Sequence, residues 1–259
     1  MIKLIVSDID GTLLQNGDRT ISRKCLNMIE DLCDKGVIFA AASGREYSNL
    51  YRLFGKVQDR IMYICLNGAL IIYKGQVICR TPIDRELGLE IIEDISKHRD
   101  CDVLLSGVET CYIKNTNRAY ADHIVNVLKN DTTFVRKFEE VEDEFLKISV
   151  HTAAGIDKYS DYFISKWGGK LPTVVSGKCW LDFNGPLVNK GNALMVVQKL
   201  FDINYDETMT FGDNYNDLEM FDKSYFSYAM SDATAEIRSK ARYLTPTVDA
   251  ILFDVLRMR

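Results

Sequence analysis

The segment Leu4-Ile5-Val6-Ser7-Asp8-Ile9-Asp10-Gly11-Thr12 decides how the rest of the chain is interpreted. An apolar run that ends in acidic residues and a glycine predicts a buried strand over residues 3–7, with Asp8 at its carboxyl end. Alternation along extended backbone brings Asp8 and Asp10 to the same side of the chain. Two carboxylates that close repel each other, so the pair predicts either a bound cation or a shared proton.

A cation at this pair would equip the segment for chemistry. Bound magnesium would keep Asp8 ionised as a nucleophile and would neutralise the charge of a phosphate group. Asp10 could then protonate a leaving oxygen and later deprotonate a water molecule, while Gly11 allows close approach of the backbone. The alternative for this motif alone is a polar exit from a strand into a turn, where Asp, Gly and Thr are common.

The residues that follow predict alternating helices and strands. Ser22 is a candidate N-cap for a helix that ends before Gly36, since glycine commonly follows a helix C-terminus. Buried strands are predicted over residues 37–42 and 61–66, with a helix over residues 46–54 between them. Strand, helix, strand, helix, strand in this order predicts a parallel sheet with helices on both faces.

The middle of the chain has a different order of predicted elements, which begins with a hairpin at Lys74-Gly75-Gln76. The elements predicted beyond it are helices over 85–97, 118–129 and 157–167 and strands over 102–106, 110–114, 146–151 and 179–184. From Lys190 the alternation of strands and helices resumes. The predicted helices cover 190–200, a segment after 214, 234–240 and 248–256, and the predicted strands cover 208–211 and 225–229. We therefore predict an α/β fold in which residues 1–80 and 188–259 form a parallel-sheet core and residues 81–187 form an inserted α+β cap domain.

Three more polar clusters follow predicted core strands or begin core helices, which is where open parallel sheets bind ligands. They are Ser43-Gly44-Arg45, Asn189-Lys190-Gly191 and Gly212-Asp213-Asn214-Tyr215-Asn216-Asp217. The hydroxyl and backbone N–H groups of the first cluster suit an anionic oxygen. The lysine can stabilise a phosphate, and the two aspartates are spaced as a metal ligand and its supporting partner.

Each cluster taken singly has a structural alternative. Ser43 could cap the following helix, and Arg45 is expected to be structural rather than to contact phosphate. Lys190 alone would be a solvated surface lysine, and Asp213 with Asp217 would be an N-cap and a first-turn acid.

Taken together, the motifs resemble the haloacid dehalogenase superfamily, whose four signature motifs occur in order across nearly the whole chain. Asp8-x-Asp10-Gly11-Thr12 matches the first motif, Ser43 the second, Lys190 the third, and Asp213 with Asp217 the fourth. The large insert between the second and third motifs, preceded by Asn67-Gly68-Ala69, is similar to Cof-type phosphatases with a type IIB cap. The resemblance implies a Rossmann-like core.

The resemblance also implies a role for each matching residue. Asp8 would be the nucleophile and Asp10 the acid and base, with Mg²⁺ bound by the side chains of Asp8 and Asp213 and by the backbone carbonyl of Asp10. Asp217 would support the water molecules around the metal. The groups implied to hold or orient the phosphoryl oxygens are Ser43, Lys190 and Asn216, to which we add Gly11, Gly44 and Asn67. For Asn67 a plain Asn-Gly turn is an equal alternative.

The expected function is Mg²⁺-dependent hydrolysis of small phosphorylated metabolites through an aspartyl-phosphate. Sugar phosphates are the first expectation, followed by nucleotides and pyridoxal phosphate, and this order rests on family analogy. A phosphomutase of the same superfamily is the alternative, because that chemistry shares the aspartyl-phosphate. A non-enzymatic phosphate acceptor or binding protein is a remote one, since no signature group is missing.

Composition limits the partners. The formal net charge of -5 gives no electrostatic reason to expect nucleic acid or an anionic membrane as a partner. Seven cysteines without CxxC spacing favour reduced thiols in a cytoplasmic protein, and acidic residues come too early for a signal peptide. We expect a monomer or a weak homo-oligomer.

Several residues of the insert lie outside the four motifs. The strand Leu181-Asp182-Phe183 stands where relatives often have Leu-Glu-Ile. The three histidines, His98, His123 and His151, lack metal-site spacing and are expected to be structural or at the surface. Trp167 and Trp180 are expected in the core, although Trp180 could face a cleft.

Overall fold

The structure is a computed structural model that describes residues 1–258. The chain divides into two compact units. The core unit combines Met1–Cys79 with the segment that starts at Val188, and the inserted unit is Arg80–Leu187.

The elements of the described chain are numbered in chain order. The strands are β1 (Leu4–Asp8), β2 (Ile38–Ala42), β3 (Met62–Cys65), β4 (Leu70–Tyr73), β5 (Gln76–Arg80), β6 (Asp102–Ser106), β7 (Cys111–Lys114), β8 (Thr132–Val135), β9 (Lys147–His151), β10 (Thr173–Gly177), β11 (Trp180–Asn184), β12 (Thr208–Gly212), β13 (Phe226–Met230) and β14 (Tyr243–Thr245). The α-helices are α1 (Arg23–Asp34), α2 (Tyr47–Leu53), α3 (Arg85–Ser96), α4 (Arg118–Asp122), α5 (Asp157–Trp167), α6 (Lys190–Phe201), α7 (Leu218–Phe221), α8 (Ala235–Arg238) and α9 (Val248–Arg257).

The core sheet has the strand order β14-β13-β12-β1-β2-β3-β4-β5. The six strands from β14 to β3 are parallel, and β4 runs antiparallel to β3. Strand β1 lies between β2 and β12, and its five residues are all buried. The carboxyl ends of β1, β2 and β12 therefore meet at one edge of the sheet, which is where the sequence places its polar clusters. The predicted α/β fold with an inserted α+β segment is confirmed.

Local capping accounts for the boundaries of two core helices. The hydroxyl of Ser22 accepts a hydrogen bond from the backbone N–H of Cys25 at 3.0 Å, so this residue caps α1 as predicted. Asn189 caps α6 in the same way, with its side-chain oxygen accepting from the N–H of Asn192 at 2.7 Å. Each cap satisfies a backbone donor that the helix itself leaves unpaired.

Three details of the core unit differ from the sequence prediction. Strand β14 was not predicted, because three residues at a sheet edge are too few to show a periodic pattern. The helix expected after Asn214 is a 3₁₀ turn at Tyr215–Asp217 followed by the four-residue helix α7. Ser43 does not cap α2, whose N-cap position is Glu46.

The inserted unit contains a second sheet with the order β10-β11-β9-β6-β7-β8. One face packs against α3 and α5 in an apolar cluster that includes Ile92, Ile148 and Phe163. The other face is covered at β6 and β7 by the segment that holds Tyr120 and Ile124. Each sheet face is thus defined by the alternation of side chains along its strands.

The prediction was incomplete for the inserted unit. Strands β8 and β10 were missed because both lie at sheet edges and carry few buried residues. The strands of this sheet pair antiparallel except for β7 and β8, which run parallel. The helix predicted over residues 118–129 is α4 followed by a π-helical turn at His123–Val127. Within residues 1–258, no helix has the length and apolar character needed to cross a membrane.

Candidate active site

Asp8 and Lys190 form a buried ion pair at the carboxyl edge of the core sheet. Nζ of Lys190 donates to Oδ1 of Asp8 at 2.5 Å and to Oδ1 of Asp217 at 2.7 Å. The lysine and Asp217 are completely buried, and Asp8 is 5% exposed. The alternative of a solvated surface lysine is therefore wrong, because this ammonium is held between two carboxylates away from water.

Asp217 holds both the lysine and the loop that precedes it. Its Oδ1 accepts from Lys190, and its Oδ2 accepts from the backbone N–H groups of Asp213 at 3.0 Å and Asn214 at 3.1 Å. The side chains of Asn214 and Asp217 cap the 3₁₀ turn together. The capping alternative is therefore correct for Asp217, which is the acid in the first turn, and wrong for Asp213, because the N-cap residue is Asn214.

Asp213 reaches the same place from the end of β12. The hydroxyl of Thr12 donates to its Oδ1 at 2.6 Å, so the first and fourth motifs are in direct contact. Gly11 has a φ of +89°, and a Cβ at this position would clash with Oδ2 of Asp213. Only glycine combines this backbone conformation with the close approach.

The three carboxylates of Asp8, Asp213 and Asp217 fit a bound cation. One oxygen from each lies within 4.8 Å of the others, and a single lysine ammonium is paired with this group. Burial raises the pKa of Asp8 to about 8, against the opposing effect of the Lys190 charge. Burial also raises the pKa of Asp213. A divalent cation would offset this excess of negative charge, and carboxylate oxygens are ligands that Mg²⁺ prefers.

Lys190 remains charged in this arrangement. Burial acts to lower the pKa of the ammonium, but the Asp8 and Asp217 carboxylates outweigh burial and raise the pKa above its usual value. A permanently positive group beside Asp8 can stabilise an anionic phosphoryl group there.

Asp10 does not join the buried cluster. Its carboxylate is 57% exposed and is held by the guanidinium of Arg45 through two contacts, one from Nε at 2.8 Å and one from Nη2. Nη1 of the same guanidinium donates to Asn49 at 2.9 Å. Arg45 was expected to be structural, and its contact with the predicted acid and base was missed. The signal was its position directly after the Ser43-Gly44 pair at a strand end.

The remaining predicted residues lie along the edge next to this pair. Ser43 is buried, and its hydroxyl accepts from the N–H of Arg45 at 3.3 Å. A Cβ on Gly44 would lie 3.2 Å from the side-chain nitrogen of Asn67. Nδ2 of Asn216 donates to Oδ1 of Asn67 at 3.1 Å. The structure therefore brings the Asn67 and Asn216 side chains together, although they are distant in sequence.

A family model for haloacid dehalogenase-like hydrolases matches residues 5–250 of this chain. The chain belongs to that family, as the four motifs indicated. Two of its relatives are named phosphatases. One is the 5-amino-6-(5-phospho-D-ribitylamino)uracil phosphatase YbjI of Escherichia coli, to which the chain is 26% identical over 246 residues. This match covers 93% of this chain and 90% of the relative. The chain is 22% identical to the phosphatase YwpJ of Bacillus subtilis, across 96% of both chains. The protein is an enzyme of the phosphatase class.

Solved structures agree with the fold. A crystal structure from Eubacterium rectale superposes with a TM-score of 0.88 at 27% identity, covering 98% of this chain and 99% of the other. A haloacid dehalogenase-like hydrolase from Bacteroides thetaiotaomicron superposes with a TM-score of 0.86 at 20% identity, covering 98% of this chain and all of the other. The second likeness is one of fold alone.

Proposed function

We propose that this phosphatase hydrolyses small phosphorylated metabolites with Mg²⁺, and that Asp8 carries the phosphoryl group as an aspartyl-phosphate. One observation carries the proposal: a buried carboxylate at the end of the central strand β1 is fixed by a lysine and lies beside a second carboxylate, that of Asp213. A nucleophile needs this kind of fixed orientation, because reaction requires the attacking oxygen to be aligned with the phosphorus.

The chemistry would proceed in two displacements. An oxygen of Asp8 attacks phosphorus and forms the acyl-phosphate, while the bond from phosphorus to the ester oxygen breaks and that oxygen takes a proton from Asp10. Water then attacks the phosphorus and gives a proton to Asp10, and the bond between Asp8 and phosphorus breaks to release inorganic phosphate. Lys190 keeps Asp8 oriented and stabilises the phosphoryl oxygens.

Arg45 affects how Asp10 would perform these transfers. Its guanidinium donates to both Asp10 oxygens, so this arrangement suits the ionised carboxylate that accepts the proton of the attacking water. To protonate the leaving oxygen in the first step, Asp10 would have to carry a proton and release one of these contacts.

The metal would be held by Asp8 and Asp213. Mg²⁺ there would neutralise phosphate charge and orient the reacting group. Both oxygens of Asp217 already accept hydrogen bonds. Asp217 would therefore act by positioning Lys190 and the loop at Asp213. Thr12 would fix the orientation of Asp213 through the bond to Oδ1.

The substrate would be a phosphorylated sugar or sugar alcohol. The Escherichia coli relative is named for a substrate with a phosphorylated ribityl chain, which is the class of compound we expect here. We assign selection of the substrate to the inserted residues 81–187, because the described groups around Asp8 are suited to a phosphoryl group and a cation rather than to a leaving group.

The decisive experiment separates Asp8 from Asp10 by trapping the intermediate. Asp10→Ala should still be phosphorylated by an aryl phosphate, because an aryl oxide leaves without an acid, whereas water attack on the intermediate should slow by about 10²- to 10⁴-fold without its base. Quenched protein should gain one phosphoryl group in its intact mass, and peptide mapping should place a hydroxylamine-sensitive label on Asp8.

The matched control is the double variant Asp8→Asn/Asp10→Ala, which should gain no mass. If Asp10→Ala turns over like the parent, or if the label is on another residue, the roles proposed for the pair are wrong. Release of inorganic phosphate without an added bisphosphate distinguishes the hydrolase from a mutase.

A further inference from the structure

The guanidinium of Arg45 donates hydrogen bonds to two side chains, those of Asp10 and Asn49. Nε donates to Oδ2 of Asp10 at 2.8 Å, and Nη2 donates to Oδ1 of the same carboxylate. Nη1 donates to Oδ1 of Asn49 at 2.9 Å. Asn49 lies in α2, four residues after Arg45. It therefore binds the one guanidinium nitrogen that Asp10 does not.

The backbone on both sides of this contact is ordered. The N–H of Arg45 donates to the hydroxyl of Ser43 at 3.3 Å, and its carbonyl accepts from the N–H of Leu66 at 3.2 Å. The N–H of Asn49 donates to the carbonyl of Glu46 at 3.1 Å, in the first turn of α2. The hydrogen bond from Arg45 to Asn49 thus joins two fixed points, and it restrains the long arginine side chain between them.

The pair of Arg45 and Asp10 benefits from this restraint because it is open to water. The arginine side chain is 30% exposed and the aspartate side chain 57%. An exposed ion pair contributes little by itself, since two flexible side chains lose conformational freedom when they pair. A guanidinium that Asn49 already holds loses less freedom on pairing. Asn49 therefore favours the paired geometry without contacting the carboxylate.

The proton transfers assigned to Asp10 require this pair to open and close. Asp10 releases one of its two contacts when it carries a proton, and both contacts form again once the proton has gone to the leaving oxygen. Nη1 takes no part in this exchange, because it is bonded to Asn49. The guanidinium can thus stay in place while Asp10 changes its protonation state.

We propose that Asn49 is a positioning residue for the second displacement. It keeps Arg45 where the guanidinium orients the Asp10 carboxylate, which then accepts the proton of the attacking water. Helix propensity does not explain an asparagine inside α2, since asparagine is a weak helix former. The inference rests on the proposed function, because it uses the roles given there to Asp8 and Asp10.

Rapid-quench kinetics with an aryl phosphate separates the two displacements, because its leaving group needs no acid. Asn49→Leu keeps the approximate size of the side chain and removes the acceptor. Phosphorylation of Asp8 should keep its rate constant, and dephosphorylation should slow about 3- to 10-fold, because a hydrogen bond that orients the base is lost. The phosphoenzyme should accumulate, and kcat and KM should fall by the same factor while kcat/KM stays constant.

A conservative variant and a matched control accompany this change. Asn49→Asp has the same shape and still offers an acceptor to Nη1, so its dephosphorylation should be like that of the parent. Asn126→Leu is the control, because the Asn126 amide donates to Asp122 four residues earlier. It loses a comparable side-chain contact in the inserted unit, and both rate constants should stay unchanged.

A double-mutant cycle tests whether Asn49 acts through Asp10. In the Asp10→Ala background, Asn49→Leu should slow dephosphorylation no further, because the group that it positions is absent. A general loss of structure would instead slow dephosphorylation in both backgrounds.

The inference is overturned by any of three results: Asn49→Leu dephosphorylates like the parent, Asn49→Asp is as slow as Asn49→Leu, or the slowing persists in the Asp10→Ala background. The same experiment identifies failure of the proposed function separately. If Asp10→Ala gains no phosphoryl group on Asp8, the proposed function is wrong and this inference is wrong with it. If that label forms and Asn49→Leu behaves like the parent, only this inference is wrong.

Discussion

Each unit of the protein contains a buried lysine that lies near a buried aspartate, and the two sites differ in the carboxylates that surround them. In the core unit, Lys190 contacts Asp8 at 2.5 Å and Asp217 at 2.7 Å. In the inserted unit, Lys147 and Asp182 are 3.7 Å apart, and the hydroxyl of Ser149 donates to the same aspartate at 2.6 Å. Asp8 and Asp217 belong to a group of three carboxylates that could hold a metal ion, whereas among the described residues Asp182 belongs to no such group.

This difference indicates a division of work. A reaction on phosphorus is common to every phosphate ester, so its groups can be held rigidly in advance. Selection among esters depends on the leaving group, and we assign it to the inserted residues 81–187. We expect substitutions in the two pairs to separate along that line.

The largest effect should come from Asp8→Asn. A neutral amide cannot form the acyl-phosphate, so turnover of an aryl phosphate should fall roughly 10⁴-fold or more. The comparable change in the other pair, Asp182→Asn, should reduce aryl phosphate turnover by less than about tenfold, because Asp182 lies outside the group of carboxylates at Asp8. Steady-state kinetics with an aryl phosphate measures this separation, and equal losses in the two variants would contradict it.

A smaller effect is expected on metal dependence. Asp213→Asn should raise the Mg²⁺ concentration needed for half-maximal activity by about 10- to 100-fold, because a carboxylate ligand is lost. Asp182→Asn should leave that concentration unchanged. Activity is titrated with Mg²⁺ after chelation, and Ca²⁺ should inhibit because its looser coordination misaligns the nucleophile. Full turnover of the parent protein in the presence of chelator would contradict the proposed requirement for a metal ion.

The smallest effect is expected at Asp94, a buried carboxylate of the inserted unit. Like Asp217 in the core unit, it accepts hydrogen bonds on both of its oxygens. Lys166 donates to its Oδ1 at 2.6 Å, and Nε1 of Trp167 donates to its Oδ2 at 2.9 Å. Burial acts to raise the pKa of Asp94, but these hydrogen bonds outweigh it and lower the pKa. Its stabilising contribution is present above the unfolded pKa of about 3.9 and is lost as pH falls through the lower folded value.

Urea unfolding from pH 7 to pH 3 tests this contribution. Asp94→Asn should lower the free energy of unfolding at pH 7, and the gap to the parent should narrow below about pH 4. Glu90→Gln is the control, because its carboxylate is exposed and lies 3.6 Å from Lys170; such surface pairs contribute little. If the difference in free energy of unfolding between Asp94→Asn and the parent does not change with pH, the charge of Asp94 does not stabilise the fold.

The sequence was most informative where strands end. Polar residues directly after buried strands identified Asp8, Ser43 and Asp213, since parallel strands bring their carboxyl ends to one edge. It could not predict that Lys190 is completely buried, because only the folded chain shows that Asp8 and Asp217 lie on either side of it. The contact between Arg45 and Asp10 had one sequence signal, the position of Arg45 directly after Ser43-Gly44 at a strand end, but only the folded chain shows which carboxylate it reaches.

Strands β9 and β11 illustrate a second limit. Alternation in residues 147–151 and 180–184 was visible as two strands, yet the pattern predicts a water-facing surface. Burial of Asp182 and Asn184 follows from the tertiary structure, and neither was proposed as a site. Edge strands β8 and β10 were missed because few of their residues are buried, so hydrophobic periodicity gives little signal there.

The contact of Thr12 with Asp213 spans 201 residues, which has a consequence for synthesis of the protein on the ribosome. The first strand is made early, but its neighbour β12 and the carboxylates of Asp213 and Asp217 are made only near the end. Until then β1 has no partner on that side, and its apolar edge is open to other chains. Asp8 is thus translated early, but its cluster with Asp213 and Asp217 is completed only when the last part of the chain is made.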